Sequence, residues 1–150
     1  MNVYSFKDHT LAFNHPLVGP FVIAGQVGVK QYTVTMTTEK SAHDVAADGN
    51  VLVSAIAGDN GALDVQVQQT SDAHTYLLAW YNAILQALNE GDLSNWATMT
   101  ATGRGITDGS VHNFSGVSPS KIPDKPYAAQ GQDITWRLLA ADVMNTQIQP

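Results

Sequence analysis

Five histidines are the residues best suited to metal binding or acid–base chemistry: His9, His15, His43, His74 and His112. A metal site brings its ligands together through a pair of histidines on one helical face or a histidine at a fixed spacing from a carboxylate. None of the five histidines shows such a spacing. We interpret them as structural or surface residues, and we expect no metal and no cofactor.

Two carboxylates near His43 offer oxygen ligands for a cation. Asp44 and Asp48 lie within five residues of this histidine. A calcium loop needs a longer series of oxygen ligands at fixed positions, and that series is absent. The dipeptide Asp48-Gly49 instead favours the tight turn of a β-hairpin, so a turn is the better interpretation of these residues.

Two further motifs are candidates for catalysis or phosphate binding. Ser71 precedes a predicted helix, but the Gly-x-Ser-x-Gly pattern of a serine hydrolase is missing, and a helix cap explains this serine without further residues. The tripeptide Gly103-Arg104-Gly105 resembles part of a phosphate-binding loop. No helix start follows it, so we interpret residues 103–109 as a glycine-rich turn. The chain is therefore predicted not to be an enzyme.

The three tryptophans, Trp80, Trp96 and Trp136, could line the sugar-binding face of a carbohydrate-binding β-sandwich. All three occupy apolar positions of predicted strands or of the predicted helix, where tryptophan usually belongs to the core. A carbohydrate-binding module remains the alternative from a different functional class.

The composition excludes several other classes. The 150 residues contain thirteen acidic and seven basic side chains, a net charge of −6, and nucleic-acid binding needs clustered cations instead. The absence of cysteine excludes disulfides and thiolate zinc sites. No apolar run approaches the roughly 20 residues that span a membrane, and no signal peptide is evident, so no membrane anchoring is expected. Only 13% of the residues are charged, which favours a surface covered in part by copies of the chain itself.

The strongest pattern joins a strand to a helix. Leu63, Val65 and Val67 alternate with polar residues over 63–68, which is the period of a half-buried strand. Ser71 is among the residues that could cap the helix predicted over 73–89, and Gly91 ends it. The helix has a wide apolar stripe: Leu77, Leu78, Trp80, Tyr81, Ile84, Leu85 and Leu88. This width predicts burial on more than one side of the helix.

Short strands are predicted over most of the remaining chain, with irregular structure at 116–124 and a loose polar tail at 145–150. The predicted strands are 3–6, 10–13, 21–24, 32–38, 44–47, 51–56, 96–102, 111–114 and 134–139. Residues 1–18 could form an extended arm or a hairpin. Together these elements predict one domain, 1–150, with a mainly β fold: a two-sheet antiparallel β-sandwich or part-barrel with one flanking α-helix.

The sequence resembles the tail tube proteins of contractile-tailed bacteriophages, especially Mu-like and related phages. The resemblance is carried by the order and spacing of several pieces rather than by any one motif. These pieces are Tyr4-Ser5-Phe6, the strand 32–38 followed by Glu39-Lys40, the run 45–51, the segment 58–85 and the strand 134–139.

The resemblance implies a structural subunit of the virion tail, assembled in the host cytoplasm. In that family, hexameric rings complete one continuous inner β-barrel and stack into a hollow tube that conducts DNA into the host without binding it specifically. The implied partners are the chain itself, the tail sheath, baseplate and tail terminator proteins, and a tape-measure protein in the lumen. A close alternative is a tube of a type VI secretion system or of a phage-tail-like bacteriocin.

These expectations assign roles to two sets of residues. We predict that the lumen is lined by polar strand positions: Thr33, Thr35, Thr37, Asp64, Gln66 and Gln68. Six copies would carry six times −6, about −36 per ring, and such a wall repels phosphate. We predict that contacts between rings or subunits involve Glu39, Lys40, His43, Asp44 and Asp48 together with Tyr4 and Phe6 of the N-terminal arm.

Overall fold

A computed structural model describes residues 9–23, 29–105 and 109–147, and these ranges form nine strands and one helix. The elements are β1 (His9–His15), β2 (Gly19–Ile23), β3 (Val29–Met36), β4 (Ser41–Val45), β5 (Val51–Ala55), β6 (Gly61–Gln68), α1 (Asp72–Asn89), β7 (Met99–Gly105), β8 (Ser110–Pro119) and β9 (Asp133–Gln147). Seven strands form an antiparallel sheet in the order β2-β1-β7-β8-β9-β6-β3, and β4 pairs with β5 in a separate hairpin. The prediction of a mainly β fold with one helix is confirmed, in its part-barrel form.

The alternation of β6 creates the apolar face of the large sheet. Leu63, Val65 and Val67 are all buried, whereas Asp64 and Gln66 between them are partly exposed. In β9 the residues paired with this apolar row are Leu138, Trp136 and Ile134, which are buried too. One face of the sheet therefore belongs to the core and the other carries the polar side chains.

The sheet curls so that its two edges approach each other. Tyr32 lies on the edge strand β3, and its hydroxyl is 3.1 Å from Nδ1 of His9 on β1, near the opposite edge. Gly103 on β7 permits this approach, because a Cβ atom there would lie 3.3 Å from the Tyr32 hydroxyl. The curl produces a half-barrel with the apolar face inside.

Helix α1 packs against the apolar side of the half-barrel. Ser71 caps it, since the Ser71 side chain accepts a hydrogen bond from the backbone N–H of His74, and Gly91 adopts the left-handed conformation after its end. Leu77, Trp80 and Ile84 are buried in the core. The predicted cap and stop are confirmed.

The wide apolar stripe of the helix is used mostly within the chain itself. Leu78 and Tyr81, which extend the stripe sideways, pack against the core, while Leu88 near the end of the helix is 37% exposed. The curled sheet of the same chain therefore covers Leu78 and Tyr81, which a single flat sheet would have left exposed.

Several boundaries differ from the sequence predictions. Gly103-Arg104-Gly105 belongs to β7 and pairs with β1, so the predicted turn at this position is wrong, and residues 106–108 lie outside the described ranges. Strand β7 begins at Met99, and Trp96 lies in the preceding turn. Glycine in a sequence usually indicates a turn, but Gly103 lies within a strand and leaves room for the ring of Tyr32.

The largest difference concerns β8 and β9. Residues 116–119, predicted to be irregular, continue β8 past Gly116, which has a φ of 63° and lies where the register of β8 with β7 shifts. Residues 145–147, predicted to be a loose tail, pair with β8 through partners such as Asn145 and His112. In sequence, the polar end of a long strand looks like an unstructured tail. Only its pairing with a neighbouring strand shows that these residues are part of the sheet.

Strand β1 is longer than the strand predicted at 10–13. His9 and His15 lie at its two ends, and both are buried. The predicted strand at 3–6 and Ala24 fall outside the described residues. Within the described part of the chain, no helix combines the length and apolar character needed to cross a membrane.

Candidate functional site

The polar face of β3, β6 and β9 is one candidate working surface. Thr33 of β3 pairs with Asp64 of β6, and Asp64 pairs with Arg137 of β9. Directly paired residues on antiparallel strands share a face, so these three side chains form one row across the sheet. The next row contains Gln66 and Thr135.

The fold brings five of the six predicted lumen residues onto these two paired strands. Thr33 and Thr35 are exposed on β3, and on β6 Asp64 and Gln66 are partly buried while Gln68 is exposed. Thr37 lies beyond the end of β3, where its backbone N–H donates to the carbonyl of Asn60 at 3.1 Å. It belongs to the connection to the hairpin.

Sequence reasoning missed the charged residues that complete this face. Arg137 Nη1 lies 3.2 Å from both carboxylate oxygens of Asp64, and Lys30 Nζ lies 3.0 Å from Oδ2 of Asp133. Gln66 also donates to Asp133, at 3.4 Å. The alternation of 134–138 contained the signal that Thr135 and Arg137 point away from the core, but the pairing of β9 with β6 was not visible in the sequence.

These ion pairs determine the electrostatic character of the face. Among the described residues of β3, β6 and β9, the two basic side chains are Lys30 and Arg137, and each contacts a carboxylate. Exposed ion pairs contribute only about 0–1 kcal/mol to stability. Their main effect is therefore to leave this surface without an uncompensated cation that could hold a phosphate.

The β4–β5 hairpin is the second candidate surface. Every residue of both strands is exposed, and the Val45–Val51 and His43–Val53 pairs place three valines on one face. At its base, Lys40 Nζ lies 2.6 Å from Asp59 Oδ1. A two-stranded hairpin is marginally stable by itself, and an exposed apolar face commonly marks a contact with another molecule.

The predicted contact residues lie on or beside this hairpin. Glu39 and Lys40 precede β4, His43 and Asp44 lie within it, and Asp48 lies in the turn. Asp48 accepts hydrogen bonds from the backbone and side chain of Asn50, and Gly49 has a φ of 90°, so the predicted turn is confirmed. Tyr4 and Phe6 lie outside the described residues.

The buried histidines have structural partners. Nδ1 of His74 accepts a hydrogen bond from the Trp136 indole N–H at 3.0 Å. Burial, and secondarily the charge of Lys125, lowers the pKa of His74. His15 accepts from the backbone N–H of Leu17 through Nδ1 and donates to the carbonyl of Asn95 through Nε2. Among the described residues, no three His, Cys, Asp or Glu side chains lie where they could hold a metal ion together.

The tryptophans do not form a sugar-binding face. Trp80 and Trp136 are both 0% exposed and belong to the core, and Trp96 is partly buried in the turn before β7. A stacking surface for a sugar requires exposed rings, so the carbohydrate-binding alternative loses its main support.

The sequence matches the model of one protein family over almost its full length. This family is described as bacteriophage PhiTE tail tube protein, and the match covers residues 1–147. No curated protein sequence matches the chain significantly.

Solved structures with a similar fold come from contractile injection systems. The sheath/tube terminator of an extracellular contractile injection system, PVC, has a TM-score of 0.62 at 12% identity, covering 91% of this chain and 92% of that chain. A chain of the anti-feeding prophage baseplate has a TM-score of 0.62 at 15% identity, covering 100% and 99%. A chain of the PVC sheath-tube complex has a TM-score of 0.57 at 10% identity, covering 92% and 88%. At these identities the likeness concerns the fold.

Proposed function

The chain belongs to the bacteriophage PhiTE tail tube protein family and is a structural subunit of a tail tube. We propose that six copies form a ring and that stacked rings form a tube that conducts DNA. The observation that carries this proposal is the polar face of β3, β6 and β9, on which each basic side chain is paired with a carboxylate. A face of this kind suits the wall of a water-filled channel.

Assembly into a ring would also protect the edges of the large sheet. Strands β2 and β3 are its edge strands, and an unpaired edge invites pairing with other chains. If the edge of one subunit pairs with that of the next around a closed ring, the strands form one continuous inner barrel. The half-barrel of a single subunit is then one segment of the tube wall.

The charge of the wall suits a polyanionic cargo. A net charge of −6 per subunit repels phosphate, and the carboxylates beside Lys30 and Arg137 reduce their attraction for it. DNA would slide through such a bore without being held. A tube that delivers a protein instead is the second candidate, favoured by the injection-system structures that share the fold.

We place the contacts between rings on the β4–β5 hairpin and the N-terminal arm. The valine face of the hairpin and the charged residues Glu39, Lys40 and Asp48 would meet a neighbouring subunit. Sheath, baseplate and terminator proteins would contact other surfaces, and a tape-measure protein would occupy the bore before DNA does. The tail tube family makes the protein a component of the virion tail, and assembly in the host cytoplasm is part of the proposal.

Purified protein tests this proposal directly. Negative-stain microscopy at increasing protein concentration should show rings with six-fold symmetry and then striated tubes of constant bore. A protein that remains monomeric at all concentrations, with its thermal unfolding intact, would contradict it. The same preparation should retain no duplex DNA at moderate salt.

A further inference from the structure

The C-terminal end of α1 carries an acidic rim, formed by Glu90 and Asp92, and no basic side chain in the described part of the chain forms an ion pair with it. A groove of 370 Å³ lies there, lined by Leu17, Ala83, Gln86, Ala87, Glu90, Asp92 and Asn95. The last turn of the helix has no basic residue, although a helix C-terminus favours cations over carboxylates. Leu17 is 48% exposed beside the groove. A groove that is partly apolar, through Leu17, Ala83 and Ala87, and has a negative rim fits an aromatic side chain that has cations beside it.

Such a segment exists elsewhere on the same chain. The connection between β8 and β9 contains Lys121, Asp124, Lys125 and Tyr127, a net charge of +1 over residues 121–127, and the Tyr127 side chain is 82% exposed. Among the described residues, Lys30, Lys40 and Arg137 each contact a carboxylate, whereas neither lysine of this connection forms an ion pair. The connection is anchored to the fold, since the Gln69 side chain donates to the carbonyl of Pro126 at 3.1 Å.

The groove and the aromatic segment cannot meet within one subunit. Gln69 places the segment beside the start of α1, because its side chain donates to the carbonyl of Pro126 and it lies three residues before Asp72, where the helix begins. The groove lies at the other end of the helix. At 1.5 Å per residue, the 18 residues of α1 span about 27 Å. A contact between the two features requires a second copy.

We propose that Tyr127, preceded by Lys121 and Lys125, docks into the Glu90–Asp92 groove of the adjacent copy and forms a lateral contact of the ring. The contact joins different surfaces of identical subunits, so it is head-to-tail and can close a ring. This proposal rests on the proposed tube function. It assigns a partner to the groove at the end of α1, a surface that takes no part in the proposed contacts of the edge strands and the hairpin. Opposite charges set the orientation, and the tyrosine ring supplies the buried area.

Charge reversal on each side tests the contact. One variant carries Gln86→Lys and Glu90→Lys, and the other carries Lys121→Glu and Lys125→Glu. Like charges would then face each other, and each variant alone should raise the concentration needed for half-maximal assembly by about tenfold or more. The melting temperature of the groove variant, measured on dilute subunits, should stay equal or rise, because new cations at the helix C-terminus suit its dipole. A merely structural role would lower it.

A mixture of the two variants provides the matched control. In the mixture, the acidic segment of one variant faces the basic groove of the other, and the unaltered segment and groove face each other, so a ring with an even number of subunits can close. Sedimentation and negative-stain microscopy should show assembly restored to within about threefold of the wild-type midpoint. Single variants that assemble like wild type, or a mixture that stays dissociated, would overturn this contact while leaving the tube function in place. A wild-type protein that never assembles would overturn both.

Discussion

The hydroxyl of Tyr32 lies 3.1 Å from Nδ1 of His9 and connects an edge strand of the seven-stranded sheet to a strand near the opposite edge. The two rings also meet edge to face, with centroids 6.0 Å apart. This relationship turns an ordinary antiparallel sheet into a half-barrel. The space for it comes from Gly103, which lies beneath the Tyr32 ring.

Replacing Gly103 by valine should therefore open the half-barrel. The new Cβ would lie 3.3 Å from the Tyr32 hydroxyl, and its methyl groups would lie closer still. We expect a loss of about 1–3 kcal/mol in the free energy of unfolding, measured by urea denaturation. The matched control is Gly131→Ala, because a Cβ at that position meets no atom within 4 Å and should change stability by no more than about 0.5 kcal/mol. Equal effects of both changes would refute the proposed role of Gly103.

Acidification should destabilise the subunit through His74. The neutral ring accepts the Trp136 N–H, and burial, assisted by the charge of Lys125, lowers the pKa of His74 below its ordinary value of 6.5. Because the folded pKa is lowered, the stabilising contribution is complete above pH 6.5 and is lost as the pH falls below it. Melting temperatures between about pH 8 and pH 5 should show this decline.

The variant His74→Gln tests the assignment of this pH dependence. A neutral amide keeps an acceptor near Trp136 but cannot be protonated, so the decline below the ordinary histidine pKa should become shallower. His43→Gln provides the comparison, because His43 is exposed on the hairpin and has no contact with the Trp136 indole. A decline of the same size in both variants would assign the pH dependence to other groups.

Removing the carboxylate beside Arg137 should make the tube bind DNA. Asp64→Asn leaves the guanidinium without its partner and removes one negative charge per subunit. Because the pair is exposed, stability should change by no more than about 1 kcal/mol. Assembled tubes of this variant should retain DNA in a filter or gel-shift assay, and retention should weaken steeply as salt increases.

The double variant Asp64→Asn with Arg137→Gln is the control for this effect, since it has the wild-type net charge on the face and lacks the guanidinium. It should release DNA as the wild type does. If both variants bind DNA equally, or neither binds it, then Arg137 does not face the cargo.

Charges on the valine face of the β4–β5 hairpin should prevent tube growth without unfolding the subunit. Val51→Lys and Val53→Lys introduce lysines at positions that are already exposed, so the melting temperature should remain within a few degrees of wild type. Microscopy should show fewer stacked rings. Leu52→Lys, on the opposite face of the same strand, should have a smaller effect, and the reverse order would place the contact on the other face.

The sequence was sufficient to predict elements whose pattern is local. The strand at 63–68, the Ser71 cap, the helix and the Gly91 stop follow from alternation, capping chemistry and backbone conformation within a few residues. The predicted polar positions Thr33, Asp64 and Gln66 lie together because β3 and β6 are neighbours in the sheet. The regular alternation of polar and apolar residues on both strands predicted that each strand has one polar face.

Features that depend on distant pairing could not be predicted. Arg137 joins Asp64 across 73 residues, and the long strand β9 extends through a stretch whose polar residues gave no local strand signal. Gly103-Arg104-Gly105 suggested a turn because glycine usually supplies conformational freedom. Here Gly103 is needed because a side chain at this position would collide with the Tyr32 ring. The two residues meet only because the whole sheet curls, and the local sequence does not show that curl.

A cryo-EM reconstruction of the assembled tube would show which face of the sheet lines the bore. We expect a six-fold ring in which Asp64, Gln66 and Arg137 face the bore and helix α1 lies on the outer side of the wall. A bore lined by α1, or a tube in which the polar face of β3, β6 and β9 points away from the channel, would contradict it.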